Sequence, residues 1–390
     1  MELFIGFHNF HDILSSQYKE LMETFAQFDS NNDGIIIPYT DNNYSCMPLL
    51  DSVLESKKHA ISLFSGCGGL DIGTQLAGVK VISSLDFDKD AVATLKNNPF
   101  FKHTLHRHED IRNVKATDYS KIIEQNNPEK LLIIGGPPCQ PFSKAGYWKT
   151  LSQRLGPDDP RNMIGTYLKL IDDIRPDGFI LENVESILHP HNIQAIYDLQ
   201  ETLDEMGYYY IVEKVNASDF GVPQKRKRVF VIASLKPIKS KPQSTESTST
   251  RVIDWIGRYD SDAYAVPGDS TEGKYCDLLK KVPPGSNYIS LSAKRGYAEP
   301  YFVAGKRYWT FLLKLHPLKP SWTIISQPGH WEGPFHWTSR RLRVQEIASI
   351  QTFPTDYVIC GSPRIQHKQI GNAVPCLLGK QIINCLLENI

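Results

Sequence analysis

The stretch Leu131–Ser143 constrains this chain more than any other. Four apolar residues, Leu131-Leu132-Ile133-Ile134, run into Gly135-Gly136-Pro137-Pro138-Cys139-Gln140-Pro141-Phe142-Ser143. A short apolar run halted by paired glycines and prolines reads as a buried strand ending in a stiff loop, because proline fixes φ and withholds a backbone donor. The loop carries one thiol, Cys139, in a segment that slides into neither helix nor sheet. Such rigidity suits a positioned nucleophile. A single cysteine at a turn is more often packed and inert, so the neighbouring segments have to decide.

From Ala60 onward the pattern alternates. Apolar runs of strand length occur at Ala60–Phe64, Val79–Leu85, Leu131–Ile134, Gly178–Leu181, Tyr208–Val215 and Val229–Ala233, with segments of helical length such as Ala91–Asn97 and Ile164–Ile174 between them. This predicts an α/β fold built on a doubly wound, mostly parallel sheet. Ligands in such sheets gather beyond the carboxyl ends of the strands. The first run ends in Ser65-Gly66-Cys67-Gly68-Gly69, the second in Asp86-Phe87-Asp88, the third in Pro137-Pro138-Cys139 and the fourth in Glu182-Asn183. A glycine turn, a carboxylate and a thiol are thus delivered to one rim. The turn reads either as a cofactor cradle or as tight packing. If a cradle, its spacing is not G-x-G-x-x-G and little is present to hold a pyrophosphate, which favours an adenosyl cofactor without phosphates over a nicotinamide.

Composition narrows the class. Apolar residues at 41% and charged residues at 22% fit a soluble globular chain of 390 residues, with two domains expected. No run of about eighteen apolar residues and no basic-then-apolar leader stands in the sequence, so the expectation is a cytoplasmic protein without a membrane role. Seven scattered cysteines with no C-x-x-C pair argue against disulfides and structural zinc. Basic and acidic residues balance at 43 each, yet Lys225-Arg226-Lys227-Arg228, Lys236, Lys239, Lys241, Arg340-Arg341 and Arg343 cluster. That distribution is compatible with a polyanion along one face. Residues 1–57 form an extension of unassigned role, with an amphipathic segment over Leu14–Phe25. Asp29–Gly34 imitates the start of a calcium loop, but Thr40 stands where the bidentate glutamate belongs, so a polar turn is expected. His103, His106 and His108 read as a polar loop, and no metal is expected.

Taken together and in order, these motifs resemble those of the DNA cytosine-5 methyltransferases of bacterial restriction-modification systems. The resemblance rests on Leu63–Gly69, Leu85–Asp88, Glu109-Asp110-Ile111, Gly136–Ser143, Glu182-Asn183-Val184, Gln224–Arg228, Arg340–Pro354 and Gln369–Pro375. It implies a Rossmann-like S-adenosylmethionine-dependent fold with a second, smaller target-recognition domain. The implied catalytic residues are Cys139 as nucleophile, Glu182 on the N3/N4 edge of the base, Arg228 at its O2, and Arg226 beside the site. The implied cofactor residues are Phe64, Gly66, Cys67, Gly68 and Gly69 at the turn, where Cys67 serves for packing. Asp86 would hold the ribose and Phe87 the adenine face, with Asp110, Ile111, Pro137, Asn372, Ala373 and Val374 completing the site.

The resemblance further implies a lobe over 58–236 that is completed by 365–390, with target recognition over 237–364. Double-stranded DNA is the implied partner, contacted through Gln140, Ser143, Arg340 and Arg341, with Arg251, Arg258, Lys294, Arg295, Lys306 and Arg307 as further candidates. A monomer paired functionally with a restriction endonuclease is expected. Two rival readings remain at this point: a transfer-RNA cytosine-5 methyltransferase, and a catalytically silent DNA-binding regulator.

Overall fold

The structure, a computed structural model, describes residues 2–6, 34–45, 50–138, 163–245 and 250–390. The chain divides into two compact units.

The larger unit comprises Ser45–Gly221, Arg226–Glu246 and Asp356–Ile390. Its sheet holds β1 (Lys58–Leu63), β2 (Lys80–Asp86), β3 (Leu105–His108), β4 (Lys130–Gly135), β5 (Gly178–Val184), β6 (Tyr209–Asn216) and β7 (Lys227–Ser234), in the order β3-β2-β1-β4-β5-β7-β6. The first five strands pair in parallel. β7 is antiparallel to both β5 and β6, so the sheet is mixed. β1 and β4 are buried from their second residue onward, as expected of strands covered on both faces, which read as continuous rather than alternating apolar runs. The order reverses between β1 and β4, and such a switch point opens a crevice at the carboxyl ends of the strands.

Helices α1 (Gly69–Leu76), α2 (Lys89–Asn97), α3 (Thr117–Asn126), α4 (Ile164–Ile174), α5 (Gln194–Glu205), α6 (Pro363–Asn372) and α7 (Cys376–Leu387) belong to this unit. Tyr119, Tyr167, Ile171, Leu199 and Leu203 pack with Ile133, Phe179 and Val231 in one core. α7 packs on α1, and it does so at backbone distance. A Cβ on Gly69 would lie 2.2 Å from the Val374 carbonyl oxygen, and one on Gly73 would lie 2.6 Å from that of Cys376. The stretch Pro363–Leu387 is apolar and long enough to cross a membrane by composition. It is two helices, however, and α7 buries Leu378, Ile382, Ile383 and Leu386.

The histidine segment departs from expectation. His106 and His108 lie on the edge strand β3 rather than in a loop. His106 Nδ1 bonds Ser84 Oγ at 2.7 Å and His108 Nε2 bonds the Phe87 carbonyl at 3.0 Å, so sheet contacts account for both.

The smaller unit comprises Met1–Tyr44, Val222–Lys225 and Ser247–Thr355. The extension is divided between the two units. Its described residues up to Tyr44 fall in this unit and those from Ser45 in the larger one, and the longest stretch of the smaller unit is Ser247–Thr355. Strand Glu2–Gly6 pairs antiparallel with Gly34–Pro38. Beyond it Asp41 pairs with Arg258 at 2.9 Å and Asn43 bonds the Trp255 carbonyl and Ser349 Oγ, each at 2.8 Å. The segment Leu14–Phe25 and the loop Asp29–Asp33 lie outside the described residues. A core of Leu279, Val282, Tyr288, Leu291, Phe311, Leu312 and Phe335 forms without strand-helix alternation.

The glycine contacts of α1 make a direct prediction. Gly73→Val should lower stability by at least about 2 kcal/mol, since backbone atoms at 2.6 and 2.7 Å leave no flexible neighbour to yield. Urea denaturation of the purified variant checks it.

Candidate active site

The turn after β1 sets the first wall. Phe64, Gly66 and Gly68 all take positive φ, at 57°, 54° and 83°. Glycine adopts this region freely, whereas Phe64 is held there against its own preference, a form of strain that collects at functional sites. The turn is tied to β2 through Asp86, whose Oδ2 accepts from the Gly66 N–H and whose Oδ1 accepts from the Asp88 N–H, each at 2.7 Å. Burial raises the Asp86 carboxyl above the ordinary carboxylate range while these two donors oppose the rise. Asp88 caps α2, its side chain accepting from the Asp90 N–H at 2.9 Å.

Beyond the turn lies a cavity of about 600 Å³, with Phe64, Gly66, Asp86, Phe87, Asp110 and Glu182 among its walls. Phe87 is 72% exposed. An aromatic ring left open beside a cavity of this size is a ready platform for a planar ligand. Asp110 opens the short helix Ile111–Asn113, and the Arg112 guanidinium beside it holds its carboxyl below the usual range. Ile111 is buried behind it.

The chain's end supplies a further wall. Asn372, Ala373 and Val374 line the same cavity. Arg226, fully buried, donates from Nη2 to the carbonyls of Gly371 and Ala373 at 2.9 and 3.0 Å. Lys368 Nζ reaches Asp88 at 2.7 Å, and Gln369 accepts from Thr94 at 2.7 Å. Arg226 thus positions the 371–373 segment through its carbonyls. Burial pushes the Arg226 guanidinium well down.

At the carboxyl end of β5 stands Glu182, and β7 brings Arg228 opposite Val184, two residues along on the same face. Arg228 Nε lies 2.8 Å from Glu182 Oε1, each side chain 15% exposed. Gly136 permits this placement, since a Cβ there would come within 2.9 Å of Glu182 Oε2. Pro137 lines the cavity and its carbonyl faces Asn183 Nδ2 at 3.4 Å. Cys139, Gln140 and Ser143 lie outside the described residues, which stop at Pro138. Cys67 is buried, burial pushes its thiol far up, and its carbonyl accepts from Tyr357 Oη at 2.9 Å. Its side chain packs and is not a nucleophile.

The basic residues of the smaller unit divide sharply. Arg340 has all three guanidinium nitrogens engaged, with Asp260, Glu346 and the Arg341 carbonyl. It is an internal tie rather than a free cation. Arg343 is likewise buried on Asp269, and Arg251 and Arg258 pair with Asp254 and Asp41. Arg341 donates to the His330 carbonyl and lies over the Phe335 ring. Lys294, Arg295, Lys306 and Arg307 are exposed, amid exposed Tyr301, Val303, Tyr308 and Trp309.

Sequence reasoning passed over Asp71, which lines the cavity from the first turn of α1, and Arg112 and Lys368, the cations paired with Asp110 and Asp88. The signal for Asp71 was available as one acid set in the apolar run Leu70-Asp71-Ile72.

Comparison with known proteins places the chain. The model of the C-5 cytosine-specific DNA methylase family matches residues 59–388. The type II methyltransferase M.SacI of Streptomyces achromogenes is 35% identical over 367 residues, covering 85% of this chain and 93% of its own. M.NgoPII of Neisseria gonorrhoeae, also a type II methyltransferase, is 31% identical over 342 residues, covering 83% and 93%. Among solved structures, a prophage-encoded E. coli protein described as a DNA modification methyltransferase superposes with a TM-score of 0.62 at 23% identity, covering 85% of this chain and 99% of that one. The Entamoeba histolytica methyltransferase EhMeth does so at 0.56 and 18%, covering 86% and 99%.

For an adenosyl cofactor, Phe87→Ala should weaken binding about tenfold through loss of the ring platform. Because Phe87 is exposed, the melting temperature without ligand should stay unchanged. Calorimetric titration and a thermal melt of the same sample check both.

Proposed function

This chain belongs to the C-5 cytosine-specific DNA methylase family, and we propose that it methylates its target by covalent addition of Cys139 to a cytosine turned out of the duplex. The coarser statement stands on the comparisons: it is a DNA cytosine-5 methyltransferase of the type II restriction-modification class. The observation that supports the finer one is Glu182, oriented by Arg228 and admitted by Gly136, on the rim of the cavity that the glycine turn and Asp86 also line.

The residues present fit S-adenosylmethionine. Asp86 spends one hydrogen bond per oxygen on the backbone and keeps acceptor capacity for ribose hydroxyls. Phe87 offers a ring face for adenine. The cations on the wall, Arg112 and Lys368, are paired with Asp110 and Asp88, so no free basic cradle for a pyrophosphate is present among the described lining residues. When bound, the cofactor supplies a methyl group on a sulfonium.

C5 of cytosine is too weak a nucleophile to accept that methyl unaided. Addition of the Cys139 thiolate forms an S–C6 bond and moves electron density onto C5. Glu182, hydrogen-bonded to the N3/N4 edge, stabilises the charge that develops and selects cytosine. C5 then takes the methyl carbon as the carbon–sulfur bond breaks. Loss of the C5 proton and departure of Cys139 restore the ring. Because a stacked base cannot reach the site, the nucleotide must leave the helix. Arg228 acts at the base and orients Glu182, whereas Arg226 acts through the 371–373 carbonyls.

Gln140 and Ser143 are proposed to contact DNA next to the flipped base. In the smaller unit the exposed Lys294, Arg295, Lys306 and Arg307 with their neighbouring aromatics are better placed for that role than Arg340. Arg341 remains a candidate. The protein is proposed to act as a monomer in a bacterial cytoplasm, protecting DNA from a cognate restriction endonuclease.

Cys139→Ser should abolish incorporation of labelled methyl groups into duplex DNA while leaving duplex binding intact, and turnover retained by that variant would overturn the mechanism. Glu182→Gln should lower kcat by about 10²–10³-fold. The same assay on transfer RNA should yield no product.

A further inference from the structure

We infer that Asp71 is a second carboxylate of the cofactor site, placed behind the glycine turn, which adds affinity for the cationic sulfonium cofactor and adds none for its uncharged thioether product. The inference rests on the reading that this cavity holds S-adenosylmethionine.

Asp71 lies in the first turn of α1 and is fully buried. Its Oδ1 accepts from Ser62 Oγ at 2.6 Å, and Ser65 Oγ donates in turn to Ser62 Oγ at 2.8 Å. These hydroxyls link the acid to β1 and to the turn itself. Its Oδ2 accepts no hydrogen bond. Among the described residues no basic side chain forms an ion pair with Asp71, although the residue lines the cavity. A buried carboxylate oxygen with no donor is costly, and each such group in a folded protein asks for an explanation. The Asp71 N–H and the Ser65 hydroxyl also act on the carboxyl and offset part of the cost, while no donor is seated on Oδ2.

A second acid sharpens the point. Asp86 stands on the same cavity and contributes to the electrostatics of Asp71, so two buried carboxyls face one space. Burial first, and the Asp86 charge after it, push the Asp71 carboxyl up to about 7. A carboxyl so poised is held ionised by a cation beside it and takes up a proton near neutral pH when none is there.

The ligand chemistry supplies that cation. The ammonium and carboxylate of the methionine part cancel, so S-adenosylmethionine carries one net positive charge at sulfur, and S-adenosylhomocysteine carries none. In a weakly screened cavity a carboxylate in the wall favours the cation over the neutral thioether. Asp71 thereby assists release of the product after transfer, without touching the reacting atoms. It is a positioning and selectivity residue, not a catalytic one.

Calorimetric titration of the full-length protein with S-adenosylmethionine, the cationic analogue sinefungin and S-adenosylhomocysteine tests this without turnover. Asp71→Asn keeps the acceptor for Ser62 and removes the charge. It should lose about tenfold in affinity for both cations and stay within about twofold for the thioether. Should that variant not fold, Asp71→Ser, smaller and still able to bond Ser62, carries the same expectation. An equal fall for all three ligands, or no change for any, would overturn the inference and leave Asp71 a purely structural acid. Binding of none of the three by the wild-type protein would overturn the cofactor assignment itself, and this inference with it.

Discussion

Backbone contact between α1 and the segment around Val374–Gly379 is the constraint on which the rest of the larger unit depends. Gly69 and Gly73 have no side chain because carbonyl oxygens of the last forty residues occupy that space, at 2.2 and 2.6 Å from where a Cβ would sit. The same glycine-rich entry to α1 that opens a cavity on one side therefore receives the chain's end on the other. Arg226 then grips the carbonyls of Gly371 and Ala373, and Lys368 grips Asp88. Segments from the two ends of the catalytic lobe become one wall.

Charge is arranged around that wall with the same economy. Asp71, Asp86 and Glu182 face a single cavity, while the cations among its described lining residues, Lys368 and Arg112, pair with Asp88 and Asp110. Such a wall offers hydrogen-bond acceptors to a ligand and, among the described lining residues, no unpaired cation to a phosphate. The smaller unit follows another rule: Arg340 and Arg343 are turned inward onto Asp260, Glu346 and Asp269. Lys314 is buried as well, donating to the Val282 carbonyl and Ser339 Oγ, and desolvation pushes its ammonium down to about 7. Polar ties of this kind hold a unit that has little regular secondary structure, and Lys294, Arg295, Lys306 and Arg307 stay exposed outside them.

What the sequence disclosed follows from what is local. β1, β2, β4 and β5 announced themselves as unbroken apolar runs because both their faces are covered, and the residues at their carboxyl ends line one cavity because the strands run parallel. The edge strand β3 was missed because Leu105-His106-Arg107-His108 is only partly buried and carries polar side chains that bond Ser84 and the Phe87 carbonyl. The antiparallel placement of β7 between β5 and β6 has no local signature at all, since pairing order is decided by contacts distant in sequence. The internal engagement of Arg340 could not be read from the sequence, because its partners lie eighty and six residues away. The joining of the described residues up to Tyr44 to the smaller unit, through Asp41 and Asn43, is likewise a long-range fact.

The central claim is that this cavity and the Glu182–Arg228 pair serve methyl transfer to a ring carbon of cytosine in DNA. The most direct measurement is mass spectrometry of the nucleosides released from unmethylated duplex DNA after incubation with the purified protein and S-adenosylmethionine. The account predicts 5-methyldeoxycytidine as the new nucleoside. Appearance of N4-methyldeoxycytidine or N6-methyldeoxyadenosine instead, or of no methylated nucleoside on a DNA rich in varied sequence, would contradict it.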